Sequence, residues 1–305
     1  MILPDFRYHR VDHFSEALDL LQQHGSDAKI LAGGTDLLLH LKRGNVWGRP
    51  CPGQLISLRN IADLNSLRRE DGHIKIGAGA THRQVELSPL VRAKLTALHD
   101  AVSRLASVQI RNIATLAGNV CNAAPCADTA APLMALGAVA KITSLKTERT
   151  VALKDFFQGT GRVDLTPEEI LKELWLPEPP DFSDSAYLKA ARREAMDITI
   201  VGTAVYLCTT PDLKKIQDVR IALNTVAPKP VRAEATEKML IGSDISDTLF
   251  EEAGKTAAEH ATPRTSFRST AEYRREMVKV FVRRALSEAL ERIRTRVRGF
   301  EDSKV

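Results

Sequence analysis

Residues 30–44 read ILAGGTDLLLHLKRG, and the paired glycines constrain the fold more than any other feature. Glycine loses the most backbone freedom on folding, so a Gly-Gly pair marks a turn or a close approach of main chain. The apolar run AKIL before it predicts a strand. TDLLLHLK after it predicts a helix, with Thr35 or Asp36 as N-cap and Gly44 as terminator. Strand, glycine bend and helix start together aim free N–H groups and the helix dipole at one spot, which suits an anion. Asp36 would repel a phosphate, so its carboxylate is expected on the helix cap.

A second stretch, TLAGNVCNAAPCADTAAP (115–132), has the same character. Ala117, Gly118, Ala123 and Ala124 leave main chain open to a ligand, and Thr115, Asn119 and Asn122 offer neutral hydrogen-bond groups. It reads as a Gly- and Ala-rich loop, followed by a helix opening at Asp128. Either stretch alone is equally a tight turn. Together they suit a grip on the two phosphates of a dinucleotide. The usual dinucleotide fingerprint is missing: IGAGATH has His82 where the third glycine belongs. His82 itself is read either as facing a bound cofactor or as an ordinary loop histidine.

The 305 residues suffice for two or three compact units. No apolar run is long enough for a bilayer, the N-terminal residues lack a secretory pattern, and four cysteines are too few for a disulfide scaffold. These features predict a cytoplasmic protein. The net charge is +5; Lys and Arg are mostly spread along the chain, and their main cluster, near the end in YRREMVKVFVRRALSEALERIRTRVRG, reads as a solvated helix face. There Met277, Phe281, Ala285, Ala289 and Ile293 recur every fourth residue, as in an amphipathic helix packed on its own domain. Aromatics are only 5%, too few for a stacking nucleic-acid platform. The proline cluster of LPEPPD (176–181) is the best domain boundary. Strands follow it and helices come last, an α+β order.

Four motifs in order, AGGTDLL, IRNIATLAGN with APCAD, YLKAARREAMDI and YRREM, resemble the FAD-binding medium subunit of the molybdenum hydroxylases. These include carbon monoxide dehydrogenase, xanthine dehydrogenase and 4-hydroxybenzoyl-CoA reductase. The resemblance covers residues 3 to about 290. It implies an α+β fold: a vanillyl-alcohol-oxidase-type (PCMH) FAD domain over 1–177, with subdomains 1–58 and 59–177. A smaller α+β domain would cover 178–290, and 291–305 would be a frayed tail.

The resemblance also implies FAD as cofactor, its diphosphate lined by Ala32, Gly33, Gly34, Thr35 and Asp36 with the preceding Lys29, Ile30 and Leu31. Thr115, Leu116, Ala117, Gly118, Asn119 and Ala123 would line its other side. Asp128 matches a further FAD contact. Leu171 falls where an apolar residue packs near the flavin or adenine. Lys189 matches a lysine near the flavin ring, where a cation would raise the potential; on the residues alone it reads equally as a surface lysine of an edge strand. Members often have two glycines where this chain has Ala117-Gly118; alanine fits if that residue keeps φ below zero.

The implied partners are a small subunit with two two-iron two-sulfur clusters, a large molybdopterin subunit and an external electron carrier, in a dimer of heterotrimers. Cys121 and Cys126 are spaced C-x4-C without the continuation of a plant-type ferredoxin, and are read as small residues of a tight loop. No metal site, nucleophile or acid–base pair stands out, as suits a subunit that passes electrons. Two rivals remain open on the residues alone. One is a self-sufficient flavin oxidoreductase. The other is a non-catalytic binding protein with a basic C-terminal helix.

Overall fold

The computed structural model describes residues 3–43 and 51–302, with side chains to 298; Gly44 lies outside them. Three sheets carry the architecture, which is α+β as expected. The first is parallel, in the order β1-β3-β2: β1 (Arg7–Arg10), β2 (Ala28–Leu31) and β3 (Gln54–Ser57). Helix α1 (Phe14–His24) connects β1 to β2 and buries Ala17, Leu18 and Leu21 on one face. Gly25, at φ 52°, ends it. The short α2 (Leu37–Lys42) follows the glycine bend. Asp36 occupies its N-cap position, but its side chain makes no cap hydrogen bond, contrary to expectation.

The second sheet is antiparallel, in the order β4-β5-β10-β6-β7. It contains β4 (Leu67–Glu70), β5 (His73–Gly77), β6 (Val139–Thr143), β7 (Glu148–Ala152) and the central β10 (Ile170–Pro177). Asp71-Gly72, both at positive φ, turn β4 into β5, the Asp-Gly chemistry that a tight hairpin demands. Between β5 and β6 run six helices: α3 (His82–Leu87), α4 (Pro89–Lys94), α5 (Thr96–Ser103), α6 (Val108–Arg111), α7 (Leu116–Asn122) and α8 (Ala130–Ala135). The segment expected as one helix from Ser88 is two, broken at Leu95. After β7 come α9 (Leu153–Phe156) and a small ribbon of β8 (Phe157–Gly159) and β9 (Arg162–Val163).

The third sheet is the antiparallel β11-β12-β13-β14: β11 (Ser183–Ala190), β12 (Val201–Thr209), β13 (Ile216–Asn224) and β14 (Val231–Arg232). Helices α10 (Glu234–Leu240), α11 (Asp247–His260) and α12 (Ala271–Asp302) follow it. The sheet is covered on both sides, which is why β12 is buried at every position. Val205 and Leu207 join the cluster built with α12, while Ala204 and Tyr206 join the cluster of the preceding region. Alternation along a strand thus splits its side chains between two cores.

The C-terminal segment is a correction. Residues 291–302 continue α12 instead of fraying. Ile293 is fully buried. The Arg292 guanidinium reaches the Asp100 carboxylate at 2.9 Å and the Ser185 carbonyl at 2.6 Å. Arg296 reaches the Asp184 carboxylate at 2.5 Å. The basic face read as solvated therefore pins α12 across β11 to α5.

Candidate functional site

The two glycine stretches meet. A Cβ built on Gly33 would lie 2.4 Å from the Ile113 carbonyl oxygen and 2.7 Å from the Ala114 Cα. Only glycine allows main chain to approach main chain so closely. Gly34 takes φ 74° to complete the bend. The built Cβ of Gly118 is 3.8 Å from the Ala32 Cβ, so the bends stay side by side. None of the backbone N–H groups of residues 33–36 donates a hydrogen bond to another described residue.

The second stretch is a helix start, not a loop. Thr115 Oγ1 accepts from the Gly118 N–H at 3.0 Å, capping α7. Ala117 therefore has helical φ, and the alanine is unstrained. The α7 segment ends at Ala123, at φ 48°, whose carbonyl accepts from the Gly161 N–H at 2.9 Å. Asn119 points inward, its Oδ1 accepting from Thr129 Oγ1 at 2.7 Å. Leu171 is buried on β10, which packs against α7. Residues 29–31 lie in β2, and the Lys29 charge acts on Cys121. The GAGATH turn is part of this assembly: the His82 N–H donates to the Ala114 carbonyl at 2.9 Å, and the Leu116 N–H to the Ala80 carbonyl at 3.0 Å.

Asp128 precedes α8, which starts at Ala130, so no helix opens at Asp128 itself. Its carboxylate is the centre of a buried node. Lys189 Nζ donates to one oxygen at 2.8 Å, and the Tyr187 hydroxyl to the other at 2.8 Å. Thr199 Oγ1 also donates to it. Burial, and then the Asp128 charge, raise the Tyr187 pKa well above its ordinary value, so the phenol remains a donor. Asn224 Nδ2 donates to the Ala127 carbonyl at 2.8 Å beside it. Lys189 is thus neither a surface lysine nor a lone cation: its side chain is 6% exposed and ion-paired. Nothing in the sequence gives Tyr187 a role beyond its place in the YLKAARREAMDI motif, or marks Thr199 or Asn224, because each reaches Asp128 or its neighbour across 59 to 97 residues.

The cysteines show no reactive setting. Burial pushes the Cys121 thiol up to about 12, against the opposing charge of Lys29, and raises Cys126 too. Both remain thiols at neutral pH.

His82 is fully buried at the start of α3, with no partner for either ring nitrogen among the described residues. Burial, and then the Arg111 charge, lower its pKa from 6.5 to about 4. An unfolded chain takes up this proton near 6.5, the folded one only near 4. Stability is therefore expected to fall as pH drops through that window, by about 3 kcal/mol in all. Unfolding midpoints between pH 7 and 4 should show this slope, and His82→Leu should flatten it.

Comparison with known proteins identifies the family. The family model for the FAD-binding domain of molybdopterin dehydrogenases matches residues 4–179, and that for the carbon monoxide dehydrogenase flavoprotein C-terminal domain matches 186–289. The chain belongs to this flavoprotein family. It is 33% identical over 285 residues to the xanthine dehydrogenase FAD-binding subunit of Escherichia coli O157:H7, covering 93% of this chain and 95% of that one. It is also 33% identical over 289 residues to the carbon monoxide dehydrogenase medium chain of Afipia carboxidovorans, covering 95% and 98%. A solved carbon monoxide dehydrogenase from Hydrogenophaga pseudoflava superposes with a TM-score of 0.90 over 96% of this chain and 99% of that one, at 33% identity. The flavoprotein is an FAD-binding oxidoreductase subunit. Its residues suit such a group: main-chain donors without acceptors among the described residues, and a glycine where the two bends meet too closely for a side chain. Among its described residues no helix is long and apolar enough to cross a membrane.

Proposed function

We propose that this flavoprotein passes electrons between iron–sulfur clusters of a small partner subunit and an external carrier, within a complex whose large subunit holds molybdopterin. The carrying observation is the close approach of the bends at Gly33 and Gly118, with N–H groups at residues 33–36 that find no acceptor among the described residues. These groups, with Thr115–Asn119, hold the pyrophosphate of FAD without a cationic side chain. Bound FAD supplies the redox chemistry. Leu171 packs on the cofactor's apolar part. Asp128 orients Lys189, whose ammonium faces the site as half of an ion pair, a weaker electrostatic influence than a free cation. The complex is a dimer of heterotrimers in the cytoplasm.

Purification of the natural complex tests this. Flavin, iron and molybdenum should co-purify with this 33.6 kDa chain. A lone yellow chain that oxidises a small substrate without either metal would contradict the electron-transfer role.

A further inference from the structure

Two loops of the C-terminal region form one outward edge. The first joins β11 to β12. Its Asp197 carboxylate accepts from the backbone N–H groups of Arg192, Arg193 and Ile198 at 2.7, 3.0 and 2.8 Å. Its neck is tied at Lys189 and Thr199, both bonded to Asp128. The second loop joins α11 to α12. Arg192 Nη2 stitches the two, donating to the carbonyls of Phe267 at 2.7 Å and Arg268 at 2.8 Å.

The edge carries exposed apolar groups among guanidinium groups. Phe267 is 80% exposed and Met196 63%, with Ile198 beside them. The Arg268 guanidinium lies 4.3 Å over the Phe267 ring. Arg192, Arg264 and Arg268 have no carboxylate within 4 Å among the described residues, and Arg193 has only a 3.8 Å contact to the already engaged Asp197. Behind them Arg274 is buried, with no carboxylate partner among the described residues. It donates to the Ile200 carbonyl, to the Thr225 carbonyl at 3.2 Å and to Ser266 Oγ at 3.1 Å, and its Nε finds no acceptor among the described residues. Burial and the charges of Arg264 and Arg268 lower its pKa. The first loop thus springs from the Lys189–Asp128 pair, which the functional reading sets beside the flavin.

Single exposed apolar residues need no explanation. A Phe and a Met among uncompensated arginines, on two loops stitched together, match the composition of binding hot spots. A small anion would use the arginines and leave Phe267 and Met196 in water. A permanent subunit interface would be larger and more apolar. We propose that this edge docks a small acidic one-electron redox protein, which exchanges electrons with the flavin. The proposal rests on the functional reading above and names its external carrier by class. Two successive encounters, one electron each, account for the two electrons of one FAD turnover, with protons exchanged with water.

The test uses the FAD-loaded complex and an acidic two-iron ferredoxin, followed by stopped-flow absorbance. The wild-type rate constant should fall steeply with ionic strength. The double variant Arg193→Glu/Arg268→Glu should be slower by about tenfold or more at low salt, with a flattened salt dependence. Phe267→Ala, at an exposed position, should slow the reaction at every salt concentration. FAD content and oxidation by neutral benzoquinone should not change. Equal rates in variant and wild type, or no reaction of the wild type with ferredoxin, would overturn the proposal. So would a loss confined to NAD, which would assign the edge to a small phosphate-bearing carrier. A preparation that binds no FAD would instead overturn the functional reading beneath it.

Discussion

Asp128→Ala is expected to destabilise the flavoprotein by about 3–5 kcal/mol, the usual cost of stranding one partner of a buried ion pair. The Lys189 ammonium would be left in a site where its side chain is 6% exposed. The hydroxyls of Tyr187 and Thr199 would lose their acceptor at the same time. The node joins the segment before α8 to both ends of the β11–β12 loop, so the damage should reach both regions. Urea unfolding of apo-protein measures the effect free of cofactor linkage. A double-mutant cycle isolates the pair. Asp128→Asn with Lys189→Met removes both charges and should be more stable than the sum of the single losses predicts, by about 1–3 kcal/mol. Strict additivity would show that the pair is not coupled.

Gly33→Ala should cost the protein its cofactor. The added methyl would meet main-chain atoms, the Ile113 carbonyl oxygen at 2.4 Å and the Ala114 Cα at 2.7 Å, and neither can rotate away. The two bends must separate. Overpacking of this kind costs about 1–3 kcal/mol, which converts to a roughly 5- to 150-fold weaker hold on FAD if it is expressed at the site. Gly118→Ala is the informative contrast. Its methyl would meet Thr115 Oγ1 at 2.7 Å, a side chain that can turn aside at the loss of one helix cap, worth about 1 kcal/mol. The ratio of flavin to protein after gel filtration should therefore fall much further for Gly33→Ala, with circular dichroism little changed. Equal retention in the two variants would mean that the approach at Gly33 does not shape the site.

The features legible in the sequence were those written locally. The Gly33-Gly34 bend follows its strand, and Gly25 closes its helix. The four-residue spacing of Phe281, Ala285, Ala289 and Ile293 did mark the buried face of α12. The family and its FAD could be read from four motifs in order. What was not legible depends on contacts distant in sequence. Thr115–Asn122 reads as a loop because Ala and Gly dominate it, and the helix emerges from the Thr115 cap and packing on β10. The helical extension past residue 290 is held by Arg292 and Arg296 reaching acids more than 100 positions away. Lys189 looks like an edge-strand lysine until Asp128 is placed against it. Asp36 shows the limit of local rules, sitting at a cap position without capping.

A crystal structure of the FAD-loaded protein tests the account most directly. It should place the pyrophosphate oxygens within hydrogen-bonding distance of the N–H groups of residues 33–36 and of the α7 start at residues 115–118. A pyrophosphate bound elsewhere, with these two bends facing only solvent, would contradict it.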